Sequence, residues 1–142
     1  VPFEKVGLHA QDTCELFFQD VKVPKANLLG KAGDGFKYLM QELAQERLVV
    51  ALAAIALGEY MLGTTLEYVK QRKAFKKTLS EFQNTRFKLA EMTAQLEQGR
   101  IYCDQLVMLH NDGKVDPAMA SAAKYNMSEL QCKVLIARKI LN

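Results

Sequence analysis

The chain has 142 residues, enough for one domain, and its 49% hydrophobic and 25% charged residues are typical of a globular core. The net charge of +3 is too small to indicate a nucleic-acid partner, and the longest uncharged stretch is too short and too rich in alanine to predict a membrane span. The three cysteines lie far apart without a Cys-x-x-Cys motif or a Cys/His cluster, which predicts a reducing compartment and no metal site.

The first predicted element is a short β segment at residues 12–24. Alternate residues are apolar along this stretch, with a slip in phase halfway, as in a half-buried strand that bends. The apolar positions are Cys14, Leu16, Phe18, Val21 and Val23. We therefore expect a strand, a bend at residues 19–20, and a second extended piece that ends at Pro24. The following stretch, NLLGKAGDG, predicts a loop.

A long first helix is predicted to start after Asp34, a good N-cap residue, and to run to about residue 71. From Leu48 to Leu57 this helix is apolar almost all the way round, so most of its sides should be covered by other parts of the protein. Three helices cannot easily provide that cover. We therefore expect a fourth helix, a partner subunit, or both.

Two further helices complete the predicted bundle. The second opens at the sequence TLSE, where Thr78 and Glu81 form a capping box, and its apolar residues keep helical spacing to about residue 110. In the turn that follows, Asp116 can cap the third helix and Pro117 suits the first helical position. Long helices joined by short turns predict a mainly α fold, a helical bundle preceded by the short β segment.

Glu46 and Arg47 stand side by side at the entrance to the apolar run of the first helix. The helical neighbours of Glu46 are the apolar residues Leu43, Val49 and Val50 and a second carboxylate, Glu42. Loss of solvation and the like charge would both raise the pKa of Glu46. A carboxylate with a raised pKa suits a general base that works near neutral pH. Arg47 points about 100° away around the helix, so it is not simply the partner of Glu46. The alternative is that both are boundary residues with solvated tips.

Four segments occur in the same order as in acyl-CoA dehydrogenases: DTCELFFQDVKVPKANLLG, LAQERLVVALAAIALGEY, YVKQRKAF and FQNTRFKLAEM. The chain therefore resembles the C-terminal portion of that family, and is most similar to its long-chain and isovaleryl branches. The resemblance implies FAD as cofactor, an acyl-CoA substrate, and a homo-oligomer (dimer or tetramer) whose subunits share the FAD site. It also implies that residues 1–29 end the family's middle β domain and that residues 30–142 form an incomplete C-terminal helical bundle of three long helices.

The resemblance also implies a reaction and a base. In the family, a glutamate removes a proton from the carbon next to the thioester carbonyl, and a hydride leaves the next carbon for the flavin. The long-chain and isovaleryl branches carry this glutamate in a motif L-x-x-E-R, matched here by Leu43, Glu46 and Arg47. Glu46 is therefore the expected base, with Glu42 as the fallback, and Leu43 and Arg47 are expected at the acyl-CoA. Some branches bind the pantetheine arm with an aspartate where this chain has Ala44, so that contact is not expected here.

A second family motif, R-K-x-F, matches the stretch from Arg72 to Phe75. The resemblance implies that Arg72 contacts the diphosphate of an FAD held mainly by the neighbouring subunit, and that Phe75 lies beside this cofactor. Gln83 matches a glutamine that contacts the same FAD. The family usually has glycine after the phenylalanine, where this chain has Lys76, so we expect this loop to differ in conformation or to hold the cofactor less closely. The alternative is a solvated basic turn.

Two functions of different class follow. The first is a portion of a FAD-dependent acyl-CoA dehydrogenase that catalyses α,β-dehydrogenation of fatty acyl-CoA thioesters, with an acyl-CoA oxidase of the same fold as a related alternative. The second is a non-catalytic helical assembly module derived from this family.

The expected extent of the chain bears on both functions. Relative to the family fold, the chain lacks the N-terminal helical domain, most of the β domain and the last bundle helix, so we expect this portion alone to be inactive. The start at Val1 rather than at methionine predicts a processed product or a piece of a longer chain. No targeting segment is recognised, and the expected location is a bacterial cytoplasm or the mitochondrial matrix.

Overall fold

The computed structural model describes residues 3–141, with side chains up to residue 139. Predictions that concern residues 1, 2 and 142 lie outside the described residues. The chain divides into two compact units, Val1–Gly35 and Phe36–Asn142, and each is described by itself.

The described part of the first unit contains turns and a single bridge rather than a strand. The Phe3 N–H donates to the Thr13 carbonyl at 2.9 Å, and a 3₁₀ turn at Lys25–Asn27 follows Pro24. The predicted bend is present at residues 19–20, where Asp20 has φ of +52°. The strand predicted at residues 12–24 is wrong for this chain, since only Cys14 forms a bridge.

The missing strand has a physical reason. A strand is stable only when a neighbouring strand receives its backbone hydrogen bonds and its apolar side chains are covered. Among the described residues neither condition is met, because Leu16, Phe17 and Phe18 are all more than 70% exposed. The alternating pattern therefore indicates a strand that needs a neighbouring strand and an apolar covering layer, and the described residues provide neither.

The second unit is a bundle of three long helices with a small hairpin between the first two. Helix α1 is Gly35–Gln71, strands β1 and β2 are Lys73–Ala74 and Lys77–Thr78, helix α2 is Gln83–Asn111, and helix α3 is Pro117–Leu141. The strands pair antiparallel, with Lys73 opposite Thr78 and Ala74 opposite Lys77. The predicted mainly α fold with three long helices is confirmed.

The helix ends follow local signals, with one shift. Asp116 accepts a hydrogen bond from the Ala118 N–H at 2.8 Å, so it caps α3 as predicted, with Pro117 as the first helical residue. The Thr78 N–H donates to Glu81 Oε1 at 2.8 Å, which confirms the capping box. This box opens a 3₁₀ turn at Leu79–Glu81, however, and α2 begins only at Gln83.

One apolar core joins the three helices. The buried apolar residues are Leu48, Ala51, Ala54, Ile55, Leu62 and Val69 of α1, Leu89, Met92, Leu96, Cys103 and Leu106 of α2, and Ala120, Ala123, Met127, Leu130 and Val134 of α3. Two glycines allow close packing at its centre. A Cβ at Gly58 would lie 2.6 Å from Leu96 Cδ2, and one at Gly99 would lie 2.5 Å from Ile55 Cδ1. The core therefore requires glycine at both positions for its present packing.

Helix α1 is only partly covered by the described residues. Val49, Val50, Leu57 and Tyr60 are exposed, which fits the expectation that further cover comes from outside this chain. By length and composition α1 also meets the criteria for a membrane-crossing helix, contrary to the estimate from the uncharged stretch alone. A core helix of a soluble protein meets the same criteria, and the buried face of α1 accounts for much of its apolar character.

Candidate functional site

Helix α1 carries the predicted base and its neighbours near its N-terminal end. Glu46 is exposed, whereas Leu43 and Arg47 are half-buried. Arg47 Nη1 donates a hydrogen bond to Ser121 Oγ of α3 at 3.1 Å. Arg47 is therefore directed towards α3. As expected from their angular separation on the helix, Glu46 and Arg47 do not form an ion pair.

The described residues do not supply the low-polarity surroundings expected for Glu46. Of the apolar neighbours one turn away, Val49 is 57% exposed and Val50 is 44% exposed, and Glu42 is exposed as well. These side chains share a face of α1 that the described residues leave largely open to water. The expectation of desolvation by helical neighbours is therefore wrong, because an apolar residue lowers the local polarity only when water is kept away from both groups.

Ser121 is a site-facing residue that sequence reasoning missed. It lies 74 residues from Arg47, and a serine in the first turns of a helix is ordinary, so the sequence contains no signal that pairs the two. Ser121 Oγ donates in turn to the Pro117 carbonyl at 2.7 Å. The hydroxyl proton is thus engaged, and the oxygen lone pairs remain for the Arg47 guanidinium.

The predicted basic motif forms a tight hairpin. Phe75 and Lys76 are its two turn residues, and both have positive φ, +51° and +67°. This pattern is that of a type I′ turn, which twists in the same sense as the strands it connects. Hydrogen bonds from Arg72 N–H to the Tyr68 carbonyl and from Leu79 N–H to the Arg72 carbonyl, both 2.9 Å, fix the hairpin to the end of α1. The structure thus places Lys76 in the conformation that glycine adopts most easily.

The three residues predicted to contact FAD are all accessible. Phe75 is 91% exposed, and Arg72 and Gln83 are exposed, with Gln83 as the first residue of α2. Among residues 3–139, the basic side chains of the hairpin form no ion pair with a carboxylate. An exposed guanidinium, an exposed ring and a helix N-terminus suit a diphosphate and an aromatic ring system, so the donor set fits the cofactor.

Glu81, a carboxylate near the hairpin, is held by hydrogen bonds within its own turn. The N–H and hydroxyl of Thr78 both donate to Glu81, and these hydrogen bonds are the main reason that the pKa of Glu81 lies below its ordinary value. Loss of solvation opposes this lowering of the pKa, and the positive charges of Lys77 and Lys73 add to it by smaller amounts. Glu81 therefore remains ionised and holds the start of the turn that precedes α2.

A family sequence profile described as "Acyl-CoA dehydrogenase, C-terminal domain" matches residues 33–138 of the chain. The chain is similar to the "Long-chain specific acyl-CoA dehydrogenase, mitochondrial" of Sus scrofa, with 49% identity over 130 residues, which are 92% of this chain and 30% of that protein.

Solved structures give the same result. An acyl-CoA dehydrogenase from Geobacillus kaustophilus superposes with a TM-score of 0.91 and 51% identity, covering 99% of this chain and 37% of that one. Butyryl-CoA dehydrogenase from Megasphaera elsdenii also has a TM-score of 0.91, with 38% identity, 99% of this chain and 37% of that one. The chain thus spans about a third of the length of these relatives.

Proposed function

Because the chain belongs to the acyl-CoA dehydrogenase family, whose C-terminal domain it carries, we propose that it is a portion of a FAD-dependent acyl-CoA dehydrogenase. The proposed reaction is α,β-dehydrogenation of a fatty acyl-CoA thioester. The observation that carries this proposal is the motif of Leu43, Glu46 and Arg47 on α1, followed by an accessible FAD motif on the hairpin between α1 and α2.

Glu46 has the role of the base. Its exposed carboxylate is available to a ligand, and it removes the proton from the carbon next to the thioester carbonyl. Its function requires water to be excluded from the face of α1 that carries Val49 and Val50. In this proposal the acyl chain and the rest of the enzyme supply that cover when substrate is bound.

Substrate binding is assigned to Leu43 and Arg47. Leu43 lies half-buried one turn before Glu46, where an apolar side chain suits an acyl chain. Arg47 has a charge that no carboxylate neutralises among residues 3–139, which leaves it able to attract the polar part of acyl-CoA.

The FAD contacts are assigned to Arg72, Phe75 and Gln83. The Arg72 guanidinium suits the diphosphate, the Phe75 ring suits an aromatic face of the cofactor, and Gln83 adds an amide at the start of α2. When bound there, FAD would supply the acceptor for the hydride that leaves the substrate. The nearly complete exposure of Phe75 supports a cofactor held mainly by a partner subunit, and hence a homo-oligomer, a dimer or tetramer.

The compartment is proposed from the relatives. They include a mitochondrial enzyme and a protein from Megasphaera elsdenii, so a mitochondrial matrix or bacterial cytoplasm is the proposed location.

Replacing the base tests the proposed reaction. In the FAD-loaded enzyme that contains this chain, Glu46→Gln should abolish dehydrogenation and leave the flavin content unchanged, because the amide cannot accept the proton. Glu67→Gln, an exposed glutamate further along α1, is the matched control and should keep full activity. Full activity of Glu46→Gln would contradict the assignment, and loss of activity in Glu42→Gln alone would move the base one turn earlier.

A second candidate function is a non-catalytic assembly module. The observation that favours it is the uncovered apolar surface of α1, at Val49, Val50, Leu57 and Tyr60, which suits a helix of a partner chain. Light scattering of the 142-residue chain should then give a dimer or larger. A stable, well-folded monomer would contradict this function.

One spectrum separates the two functions for the chain alone. After incubation with FAD and gel filtration, we expect no visible flavin absorption to remain with the 142-residue chain, since the rest of the family fold supplies most of the cofactor site. A retained flavin band that bleaches on addition of a fatty acyl-CoA would instead mean that this portion forms a working site.

A further inference from the structure

We propose that Ser121 is a positioning residue for Arg47, and that its hydroxyl fixes the guanidinium in one place against α3 so that Arg47 is ready to bind acyl-CoA. This inference rests on the proposed function and extends it to a residue on a different helix. Its basis is the contact of 3.1 Å between Arg47 Nη1 and Ser121 Oγ, which joins α1 to α3.

The hydroxyl is itself held in one orientation. Ser121 Oγ donates to the Pro117 carbonyl at 2.7 Å, four residues earlier in the same helix. With its proton engaged there, the oxygen can act towards Arg47 only as an acceptor. The contact is therefore directional, and the position of the guanidinium depends on the start of α3.

The start of α3 is a firm anchor. Asp116 caps the helix through the Ala118 N–H, and the Ala120 N–H donates to the Asp116 carbonyl at 3.2 Å. Ala120 and Ala123, on either side of Ser121, are fully buried in the core. Since these contacts fix the backbone at Ser121, they also fix the acceptor that Arg47 meets.

A neutral acceptor has a specific consequence for binding. A carboxylate in this place would hold Arg47 equally well but would cancel much of its charge. A hydroxyl restricts the rotamers of the long side chain and leaves the positive charge for a ligand. Arg47 thereby loses its conformational freedom before the substrate arrives, which strengthens binding without any new contact to the substrate.

Steady-state kinetics of the FAD-loaded enzyme that contains this chain test the inference. Ser121→Ala should raise KM for a fatty acyl-CoA about three- to ten-fold, the range for the loss of one hydrogen bond of ordinary strength, with kcat and flavin content nearly unchanged. Ser121→Thr keeps the hydroxyl and should restore KM to near the wild-type value. The matched control is Ser128→Ala, since Ser128 also donates to a carbonyl within α3, that of Tyr125, and is likewise half-buried.

A double variant separates positioning from general damage. When Arg47 has already been replaced by Gln, Ser121→Ala should cause no further increase in KM, because the guanidinium that Ser121 positions is absent. An unchanged KM in Ser121→Ala, or the same increase with and without Arg47, would overturn the inference. Thermal melting of each variant identifies a folding defect. If Ser121→Ala is defective in folding, the KM values of Ser121→Thr and of the double variant test the positioning role instead.

A readout without activity keeps this inference distinct from the proposed function. In the 142-residue chain, NMR should show that exchange of the Arg47 guanidinium protons with water becomes faster in Ser121→Ala and not in Ser128→Ala. If that exchange changes while the intact wild-type enzyme does not turn over acyl-CoA, the proposed function is wrong and the positioning contact stands. If the exchange is unchanged, the positioning role is wrong.

Discussion

Arg100 of α2 donates two hydrogen bonds to the Glu59 carboxylate of α1, one of them from Nε to Oε1 at 2.9 Å and the other from Nη2 to Oε2. The pair joins residues 41 positions apart in the sequence, and Arg100 also faces Asp104 one turn later. Side-chain exposures of 33% for Arg100 and 41% for Glu59 place this bidentate pair at the edge of the core.

The ion pair predicts a pH-dependent contribution to stability. The hydrogen bond from Arg100 is the main reason that the pKa of Glu59 lies below its ordinary value of 4.5, with partial burial opposing and the charge of Arg100 adding to the effect. A carboxyl with a lowered folded-state pKa stabilises the fold above its unfolded pKa. The contribution is lost as the pH falls through the lower folded-state value.

Glu59→Gln should therefore reduce the free energy of unfolding by up to about 1 kcal/mol at pH 7, since solvent screens a pair at this exposure. The difference from wild type should shrink below pH 4.5, where Glu59 becomes protonated in the unfolded and then in the folded state. Urea unfolding at pH 7 and at pH 3 measures both values. Glu67→Gln is the control, and an equal loss at both pH values would contradict the prediction.

A pair of glycines predicts opposite effects of the same substitution. A Cβ at Gly99 would meet Ile55 Cδ1 at 2.5 Å and Met127 Sδ at 2.8 Å, whereas a Cβ at Gly63 would meet nothing within 4 Å. Gly99→Ala should destabilise the chain by about 1 kcal/mol, because overpacking costs more than the gain in helix propensity. Gly63→Ala should stabilise it by about 0.5–1 kcal/mol.

Chemical denaturation of the two alanine variants gives both values directly. A stabilised Gly99→Ala variant would mean that Ile55 and Met127 rearrange easily, and that α1 and α2 approach each other less closely than described. A destabilised Gly63→Ala variant would mean that the open side of α1 is covered in solution, which would point to self-association of the chain.

The hairpin turn predicts a stabilising glycine substitution. Lys76 has φ of +67°, a conformation that costs a side-chain-bearing residue about 1–2 kcal/mol. Lys76→Gly removes this cost but raises the conformational entropy of the unfolded chain. The net stabilisation should therefore be about 0.5 kcal/mol. Lys73→Gly, in strand β1, is the control and should destabilise the chain by about 0.5–1 kcal/mol. Thermal unfolding measures these differences. A lower unfolding temperature for Lys76→Gly than for the wild type would contradict the turn geometry.

Local signals in the sequence were sufficient where the structure is locally determined. Asp116 and Pro117 marked the start of α3, and the Thr78–Glu81 capping box is present, because each signal acts within one turn of chain. The shift of α2 to Gln83 shows the limit of such signals. A capping box satisfies the first backbone donors equally well in a 3₁₀ turn, so it does not specify which kind of helix follows.

Features that depend on distant or external contacts were not predictable. The alternating pattern at residues 12–24 indicated a strand, but a strand also needs neighbours that the described residues do not provide. The exposure of Glu46 could not be predicted for the same reason. The sequence shows which residues neighbour Glu46 on the helix, but not whether other parts of the protein cover them. Ser121 was missed because its partner is a whole helix away, and only the packing of α3 against α1 brings the two together.

The three cysteines predict a difference in reactivity that reports on the core. Cys103 is fully buried, and loss of solvation raises the pKa of its thiol, whereas Cys14 and Cys132 are exposed. Because the thiolate is the reactive form, Cys103 should react slowly with an aromatic disulfide reagent in the folded chain. At pH 8, two thiols of the 142-residue chain should react within minutes, and the third only in denaturant.

Serine variants assign the two classes of thiol. Cys132→Ser should leave one fast thiol in the folded chain, while Cys103→Ser should leave two and abolish the slow phase. The rate of the slow phase should rise with the same urea dependence as global unfolding, because Cys103 of α2 is buried in the core that the three helices share. Three fast thiols in the folded wild-type chain would mean that α2 separates readily from the bundle when no further helix covers it.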